Sequence, residues 1–159
     1  MKTATLAIIV REGKVLLGYK KKGEIGTGTL NGPGGKTEEG ESLVDCVVRE
    51  TQEELAITLF PEHLKKIAHI LFFANGTPDF EVTIFYTSVF SGEPRETADM
   101  IPSWHSVEDL PIGQMLESDR MWFPKAVRGE MFSAHVYYKE RARSFDRDRS
   151  YFTFPIATE

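Results

Sequence analysis

The amino-acid sequence predicts an α/β fold in which one mixed β-sheet is combined with a small number of helices. Short segments rich in β-branched and aromatic residues occur both before and after a central amphipathic segment. A glycine-dense stretch at residues 23–40 separates the first of these segments from the amphipathic one. The chain shows neither an internal repeat nor a linker, so residues 1–159 are expected to form a single domain.

The N-terminal segments predict a β-hairpin. Residues 5–10 read TLAIIV and residues 14–20 read KVLLGYK, and both segments are rich in aliphatic side chains. Gly13 lies between them, where it gives the connecting turn its conformational freedom. The sheet is therefore expected to begin with two antiparallel neighbours.

The amphipathic segment predicts a helix over residues 42–56. Its apolar face consists of residues that lie 0, 3, 4, 7 and 11 positions after the first of them, namely Val44, Val47, Val48, Thr51 and Leu55. Ser42, with Asp45 three positions later, resembles a capping box at the start of the helix.

The second half of the chain predicts further strands and two helices. Residues 67–73 and 80–90 are β-branched and aromatic, and the sequence NGTPD between them is typical of a turn. A short helix is expected at residues 106–111 and another near 123–128. Residues 133–139 and 151–154 are expected to be closing strands, while the mixed-charge stretch 139–149 is expected to be a solvated connection.

Composition limits the classes of function. The chain has 159 residues, a mass of 18.0 kDa and a formal net charge of -5, so it lacks the basic surface that binding a nucleic acid polymer requires. Its single cysteine, Cys46, indicates a reducing compartment. The first ten residues, MKTATLAIIV, are too short and too quickly followed by charge to be expected to act as a signal peptide or a membrane span, and a cytoplasmic location is expected.

Three glutamates on the predicted helix point to a metal site. Glu50, Glu53 and Glu54 lie at i, i+3 and i+4, so they share one face and repel each other. Two such charges about 4 Å apart cost roughly 4 kcal/mol at an effective dielectric near 20. An all-oxygen set next to a glycine loop suits Mg²⁺, with Mn²⁺ as an alternative. Taken alone, the same spacing is also typical of a solvated helix face.

The stretch GKTEEGESLVDCVVRETQEELAI, residues 35–57, resembles the Nudix box, G-x5-E-x7-R-E-U-x-E-E-x-G-U with U aliphatic. The matching residues are Gly35, Glu41, Arg49, Glu50, Glu53 and Glu54. Thr51 stands where an aliphatic residue is usual, and Ala56 replaces the last glycine. Neither departure removes a metal ligand.

The resemblance implies a Nudix fold, a mixed sheet sandwiched between helices (α/β/α), and a hydrolase that cuts a diphosphate linked to another moiety. It implies that Glu50, Glu53, Glu54 and the Gly35 carbonyl hold divalent metal. Arg49 would orient a glutamate, and Glu41 would fix the loop. By analogy with MutT-like enzymes, Glu50 is the first candidate for the general base.

Further segments resemble the MutT-like branch that hydrolyses oxidised purine nucleoside triphosphates such as 8-oxo-dGTP. They are LLGYKKKG, LNGPGGK, DMIPSW and SDRMWFP. This resemblance implies that Asp99 is a remote metal carboxylate and that Lys20 and Lys36 lie near the triphosphate. It also implies a base pocket made of Asn31, Asp119, Thr5, Phe72 and Phe80, with Trp122 as a further stacking candidate.

The branch usually has a tryptophan and two adjacent aspartates where this chain has Leu116, Ser118 and Asp119. We therefore expect the chain to hydrolyse nucleoside triphosphates as this branch does, while these substitutions leave its preference among bases undetermined. A Nudix hydrolase of a nucleotide sugar, ADP-ribose, dinucleotide or capped RNA end is an alternative, as is a non-catalytic nucleotide-binding regulator. A monomer or a small homo-oligomer acting on a small nucleotide is expected.

Overall fold

The computed structural model describes residues 1–23 and 25–154. Within them, the first five strands are β1 (Lys2–Arg11), β2 (Lys14–Lys20), β3 (Leu30–Asn31), β4 (Gly34–Lys36) and β5 (Thr58–Leu59). The remaining strands are β6 (Lys65–Ala74), β7 (Thr77–Thr87), β8 (Phe90–Ser91), β9 (Met100–Ser106), β10 (Phe132–Glu140) and β11 (Arg143–Thr153). The α-helices are α1 (Leu43–Leu55) and α2 (Asp119–Ala126). These elements confirm the α/β class.

Nine of the strands form one curled mixed sheet. Its order is β11-β10-β6-β7-β1-β2-β3, with β4 added to β1 and β9 added to β2, while β5 and β8 form a separate pair. The β1–β7 and β6–β10 pairs are parallel and the other pairs in the sheet are antiparallel. The predicted hairpin of β1 and β2 is confirmed, with Val10 opposite Val15.

The two helices cover opposite faces of this sheet. Ala7 and Ile9 of β1 belong to the apolar cluster that also contains Val47 and Leu55 of α1. Ile8, between them, belongs to the cluster that contains residues of α2. Because successive side chains of a strand point to opposite faces, this alternation confirms the predicted layering of sheet between helices.

Helix α1 begins and ends close to the predicted positions. Ser42 is its N-cap and its hydroxyl accepts a hydrogen bond from the Asp45 N–H at 3.0 Å. Ala56 ends the helix in the left-handed conformation, with φ 61°, where the family usually has glycine. Thr51 faces the core as expected, and its buried hydroxyl has no hydrogen-bond partner among the described residues.

Two helix predictions need correction. Residues 106–111 do not form a helix: β9 ends at Ser106, a turn follows, and a 3-10 helix occupies Ile112–Gln114. Helix α2 begins at Asp119, four residues before the predicted start at 123. Its first turn contains two polar residues, Asp119 and Arg120, so the apolar periodicity only becomes visible from Trp122 onward.

The C-terminal prediction also needs correction. Residues 139–149 are not a solvated connection, because β10 continues to Glu140 and β11 starts at Arg143, so both belong to a hairpin. Alternating charges hid this strand, whose inward residues Phe145 and Phe152 pack on the core. In the described part of the chain, no helix has both the length and the apolar character needed to cross a membrane.

Candidate active site

A cavity of about 430 Å³ opens between the glycine loop (the glycine-dense stretch of residues 31–40, including β4), the start of α2 and the inner face of the sheet. It brings together most of the residues singled out in the sequence. Those that line it are Thr5, Lys20, Asn31, Gly35, Lys36, Glu50, Glu54, Phe72, Phe80, Asp99, Asp119 and Trp122. Glu50, Glu54 and Asp99 form the acidic corner of this cavity, whereas Arg49 and Glu53 lie beside that corner on α1 and do not line the cavity.

Glu54 lies in the acidic corner at the point where the glycine loop passes over helix α1. Glu54 is 6% exposed, and its Oε1 accepts a hydrogen bond from the Gly34 N–H at 2.8 Å. Burial raises the pKa of Glu54 to about 8, and the Glu50 and Asp99 charges contribute in the same direction. The neighbouring charge of Lys20 lowers it. The fold therefore holds Glu54 close to the charges of Glu50 and Asp99, which makes ionisation of Glu54 less favourable.

Glu50 lies directly against the backbone of Gly35. A Cβ atom at Gly35 would approach the Glu50 carboxyl carbon to 2.5 Å, so the loop comes this close only because the residue is glycine. Burial raises the pKa of Glu50, with added contributions from the Glu53 and Asp99 charges, while the hydrogen bond from Arg49 lowers it. The Gly35 carbonyl accepts a weak hydrogen bond from the Cys46 thiol at 3.4 Å.

Arg49 connects the loop to the carboxylates. Its Nε and Nη2 donate to the two oxygens of Glu41 at 2.8 Å and 2.9 Å, a bidentate contact. Its Nη1 donates to Glu50 at 2.9 Å and to Glu53 at 3.3 Å. The guanidinium lowers the pKa of Glu41 to about 2 and thereby keeps that carboxylate ionised.

Glu53 points away from its neighbours. Its side chain is 53% exposed and its described contact is with Arg49. Within residues 1–23 and 25–154, no three His, Cys, Asp or Glu side chains are already arranged tightly enough to coordinate one ion. The donor set itself fits a hard divalent cation, because Glu50, Glu54 and Asp99 line one cavity and the two glutamates have raised pKa values that a cation would lower.

The remote carboxylate, Asp99, pairs with a lysine, and two further lysines line the same cavity. Asp99 directly precedes β9, and its Oδ1 lies 3.2 Å from the Nζ of Lys22. Lys20 is the last residue of β2, and Lys36 the last of β4. Sequence reasoning missed Lys22, because one lysine in the run of three at residues 20–22 has no signal that separates it from its neighbours.

The other end of the cavity is apolar. Phe72 and Phe80 face each other across β6 and β7 and both line the wall. Trp122 is 3% exposed, lies against Phe132 with ring centroids 5.7 Å apart, and has a buried indole N–H without a hydrogen-bond partner among the described residues. Leu116 lines the cavity as well. These flat and aliphatic surfaces suit an aromatic ligand.

Three polar residues, Asp119, Asn31 and Thr5, also line the cavity. Asp119 is 4% exposed, and burial raises its pKa to about 8. The amide nitrogen of Asn31 donates to the Thr29 hydroxyl at 2.9 Å, so this end of its side chain is held by its own loop. Thr5 is buried, with its Oγ1 3.3 Å from the Cys46 Sγ.

Tyr138 also lines the cavity and was not predicted as a site residue. Its hydroxyl donates to the Ser118 Oγ at 2.9 Å and accepts from the Ser118 N–H at 3.1 Å. The inward alternation of β10 was the available signal, because Phe132, Ala134, Val136 and Tyr138 are all buried.

Comparison with known proteins agrees with this geometry. The model of the NUDIX domain family matches residues 1–126. An oxidized purine nucleoside triphosphate hydrolase from Danio rerio is 37% identical over 139 residues, which are 87% of this chain and 87% of that protein. The protein of the same name from Mus musculus is 34% identical over 138 residues, 86% of each chain.

Solved structures show the same fold. The crystal structure of a MutT protein from Bacillus halodurans superposes with a TM-score of 0.77, covering 96% of this chain and 97% of that one at 23% identity. A MutT Nudix hydrolase from Burkholderia pseudomallei superposes with a TM-score of 0.61 at 31% identity, over 69% of this chain and 86% of that one. Because the family match extends over most of the chain and Glu50 and Glu54 of the box line its cavity, this protein belongs to the Nudix family and is a Nudix hydrolase.

Proposed function

We propose that this enzyme hydrolyses oxidised purine nucleoside triphosphates, such as 8-oxo-dGTP, to the nucleoside monophosphate and pyrophosphate. The observation that carries the proposal is that one cavity joins the acidic corner to the aromatic end. A triphosphate needs the first and a purine base needs the second. The names of the Danio rerio and Mus musculus relatives support this substrate class.

Nudix hydrolases use a divalent cation, and we propose Mg²⁺ here, with Mn²⁺ as a substitute. Glu50, Glu54, Asp99 and the Gly35 carbonyl would hold it, and Glu53 would join them by turning its exposed side chain inward. A bound divalent cation neutralises phosphate charge and lowers the pKa of coordinated water. The fit rests on a donor set that consists of oxygen atoms, which hard cations prefer.

The protein side chains divide the remaining work. Glu50 is our candidate for the general base, because it lines the cavity and its pKa is raised by burial. Arg49 holds Glu50 through a charge-assisted hydrogen bond of 2.9 Å and is itself fixed by Glu41. Lys20 and Lys36 line the cavity and would offset the charge of the phosphate chain.

Base recognition would use the other end of the cavity. Phe72, Phe80 and Trp122 offer apolar surface to a purine, and Thr5 completes the wall. Asp119 and the carboxamide oxygen of Asn31 would pair with polar atoms on the purine edge. Since Leu116 replaces a tryptophan usual in this branch, stacking on that side is weaker, and the inward-facing Trp122 provides an aromatic surface in the same cavity.

We also propose that residues 1–159 work as one domain, as a monomer or small homo-oligomer in the cytoplasm. The single cysteine supports a reducing compartment. The formal net charge of -5 supports a small substrate rather than a nucleic acid polymer.

Product analysis tests the proposal. The purified enzyme is incubated with Mg²⁺ or with EDTA and offered 8-oxo-dGTP, 2-hydroxy-dATP, the ordinary dNTPs, ADP-ribose and a nucleotide sugar. We expect monophosphate and pyrophosphate, the highest kcat/KM on an oxidised purine, and no turnover in EDTA. Cleavage of only ADP-ribose or the sugar nucleotide would contradict the substrate class, and a folded protein that cleaves nothing would favour a regulatory role.

A further inference from the structure

The cavity wall contains a buried hydroxyl pair that joins strand β10 to the start of helix α2. Tyr138 is 3% exposed and Ser118 is fully buried. The Tyr138 hydroxyl donates to the Ser118 Oγ at 2.9 Å, and it accepts from the Ser118 N–H at 3.1 Å. Two hydrogen bonds between the same residues fix both the side chain and the backbone of Ser118.

Ser118 uses its hydroxyl in an unusual way for its position. It directly precedes helix α2, where a serine ordinarily accepts a hydrogen bond from a helix amide. Here its backbone has helical angles, φ -69° and ψ -21°, and its side chain makes no capping bond. The start of α2 is therefore positioned by a side chain of β10 rather than by its own cap.

The residue that follows is Asp119, which lines the cavity and is 4% exposed. Its carboxyl group is hydrogen-bonded to the Leu116 backbone and forms no ion pair with any residue of the described chain. A buried carboxyl of this kind gains from a polar partner inside the cavity. Its direction depends on the backbone that Tyr138 holds one residue earlier.

We propose that Tyr138 and Ser118 are positioning residues that direct Asp119 toward the base and so make the enzyme selective for purine over pyrimidine triphosphates. This inference rests on the proposed function. Asp119 lines the same cavity as Glu50 but lies at its apolar end with Leu116 and Trp122, so it faces the base when the phosphates lie at Glu50. A purine extends one ring further from the ribose than a pyrimidine and reaches this group, whereas a pyrimidine does not.

The test compares two adjacent tyrosines. Y138F removes the hydroxyl that holds Ser118, whereas the control Y137F alters a half-buried tyrosine outside the cavity, whose ring stacks on Phe73 with centroids 4.2 Å apart. We expect Y138F to raise KM for 8-oxo-dGTP about 3- to 10-fold, as loss of a hydrogen bond implies. The kcat for 8-oxo-dGTP and the KM for dCTP should stay within about twofold, and Y137F should change neither substrate's constants.

S118A provides a second route to the same contact. It keeps the backbone N–H that donates to Tyr138, so it tests the pair even where Y138F is too unstable to assay. We expect S118A to raise KM for 8-oxo-dGTP but not for dCTP. The double variant should be no worse than Y138F, because Y138F already removes both hydrogen bonds of the pair and S118A removes one of the same two.

Three results would overturn the inference. Equal changes in KM for purine and pyrimidine triphosphates, or a lower Tm with unchanged KM values, would show that the pair only stabilises the fold. Y138F and Y137F giving the same constants would also exclude it while leaving the proposed function intact. A wild-type enzyme that turns over no purine triphosphate would overturn the proposed function first and this inference with it.

Discussion

The Glu54 carboxylate accepts the Gly34 N–H at 2.8 Å, which ties the third glutamate of the helix to the glycine loop. This hydrogen bond favours the ionised carboxylate, yet burial outweighs it and raises the pKa of Glu54 to about 8. In the metal-free protein, keeping the buried Glu54 carboxylate ionised therefore lowers the free energy of unfolding. A site of this kind gives up stability in order to bind a cation, and that trade can be measured.

Replacing Glu54 with glutamine should separate activity from stability. The E54Q side chain keeps an oxygen for the Gly34 N–H but loses the charge, so kcat should fall by about 10²- to 10³-fold because cation binding is impaired. In EDTA at pH 9, E54Q should have a higher Tm than wild type, because a buried charge has been removed. E62Q, which changes an exposed acid in the 3-10 helix at Pro61–His63, is the control and should alter neither quantity. Wild-type turnover by E54Q would exclude Glu54 as a metal ligand.

Glu41 should support catalysis without touching the substrate. E41Q weakens the bidentate contact that fixes Arg49, so we expect kcat to fall about 10- to 100-fold with little change in KM. The matched control is E39Q, an exposed acid of the same loop. Steady-state kinetics compare the two variants, and equal kcat values for E41Q and E39Q would show that Arg49 needs no support from Glu41.

The contact between Arg49 and Glu41 also predicts that the folded protein becomes less stable in acid. The pKa of Glu41 is lowered from 4.5 to about 2 in the folded chain, so its contribution is complete above pH 4.5. It is lost as the pH falls from 4.5 toward 2, because over this range the unfolded state binds a proton at Glu41 while the folded state keeps the carboxylate ionised. Thermal unfolding should show the Tm difference between wild type and E41Q shrinking over this window, and a constant difference would contradict the assignment.

Asp119 predicts the opposite pH dependence. Burial raises its pKa from 3.8 to about 8, so between these values the unfolded chain releases a proton that the folded chain keeps. Its contribution is present below pH 3.8 and is lost as the pH rises to about 8. D119N cannot titrate, and its stability relative to wild type should increase by on the order of a few kcal/mol over this range. The measurement is Tm against pH in EDTA, where Glu54 titrates equally in both proteins, and a pH-independent difference would show that Asp119 is not buried.

Much of the acidic corner could be predicted from the sequence because helical spacing determines which side chains share a face. Thr51 in the core and the glutamates beside it follow from one period of 3.6 residues, while Ser42 as the cap follows from the capping-box pattern that it forms with Asp45. What spacing does not determine is side-chain direction. Glu54 is buried and Glu53 is exposed although they are adjacent, because the glycine loop covers only one of them.

The base end was harder to predict because it depends on elements distant in sequence. Tyr138 and Ser118 are 20 residues apart, and no local pattern shows that a strand residue will hold a helix start. Strand β9 contains Pro102, which weakens a strand pattern, although proline is tolerated on an edge strand. The polar first turn of α2 likewise concealed that Asp119 is buried.

Replacing Gly34 or Gly35 with alanine should have different effects, on stability in the first case and on activity in the second. A Cβ at Gly34 would lie 2.0 Å from the backbone oxygen of Thr5, which cannot move aside, so G34A should distort β4 and lower the Tm by many degrees. A Cβ at Gly35 instead meets the end of the Glu50 side chain at 2.5 Å, which can move. G35A should therefore keep a Tm within a few degrees of wild type while kcat falls about 100-fold, because Glu50 is displaced.

Gly113 supplies the control for this pair, since a Cβ there meets nothing within 4 Å. G113A should match wild type in both Tm and kcat. The decisive measurement is a thermal melt and a steady-state assay on all three variants under one condition. If G35A lost stability as severely as G34A, its low activity would reflect unfolding, and the close approach of Gly35 to Glu50 would have no separate role in catalysis. If G35A stayed folded and inactive, the loop backbone would be established as the element that places the carboxylate.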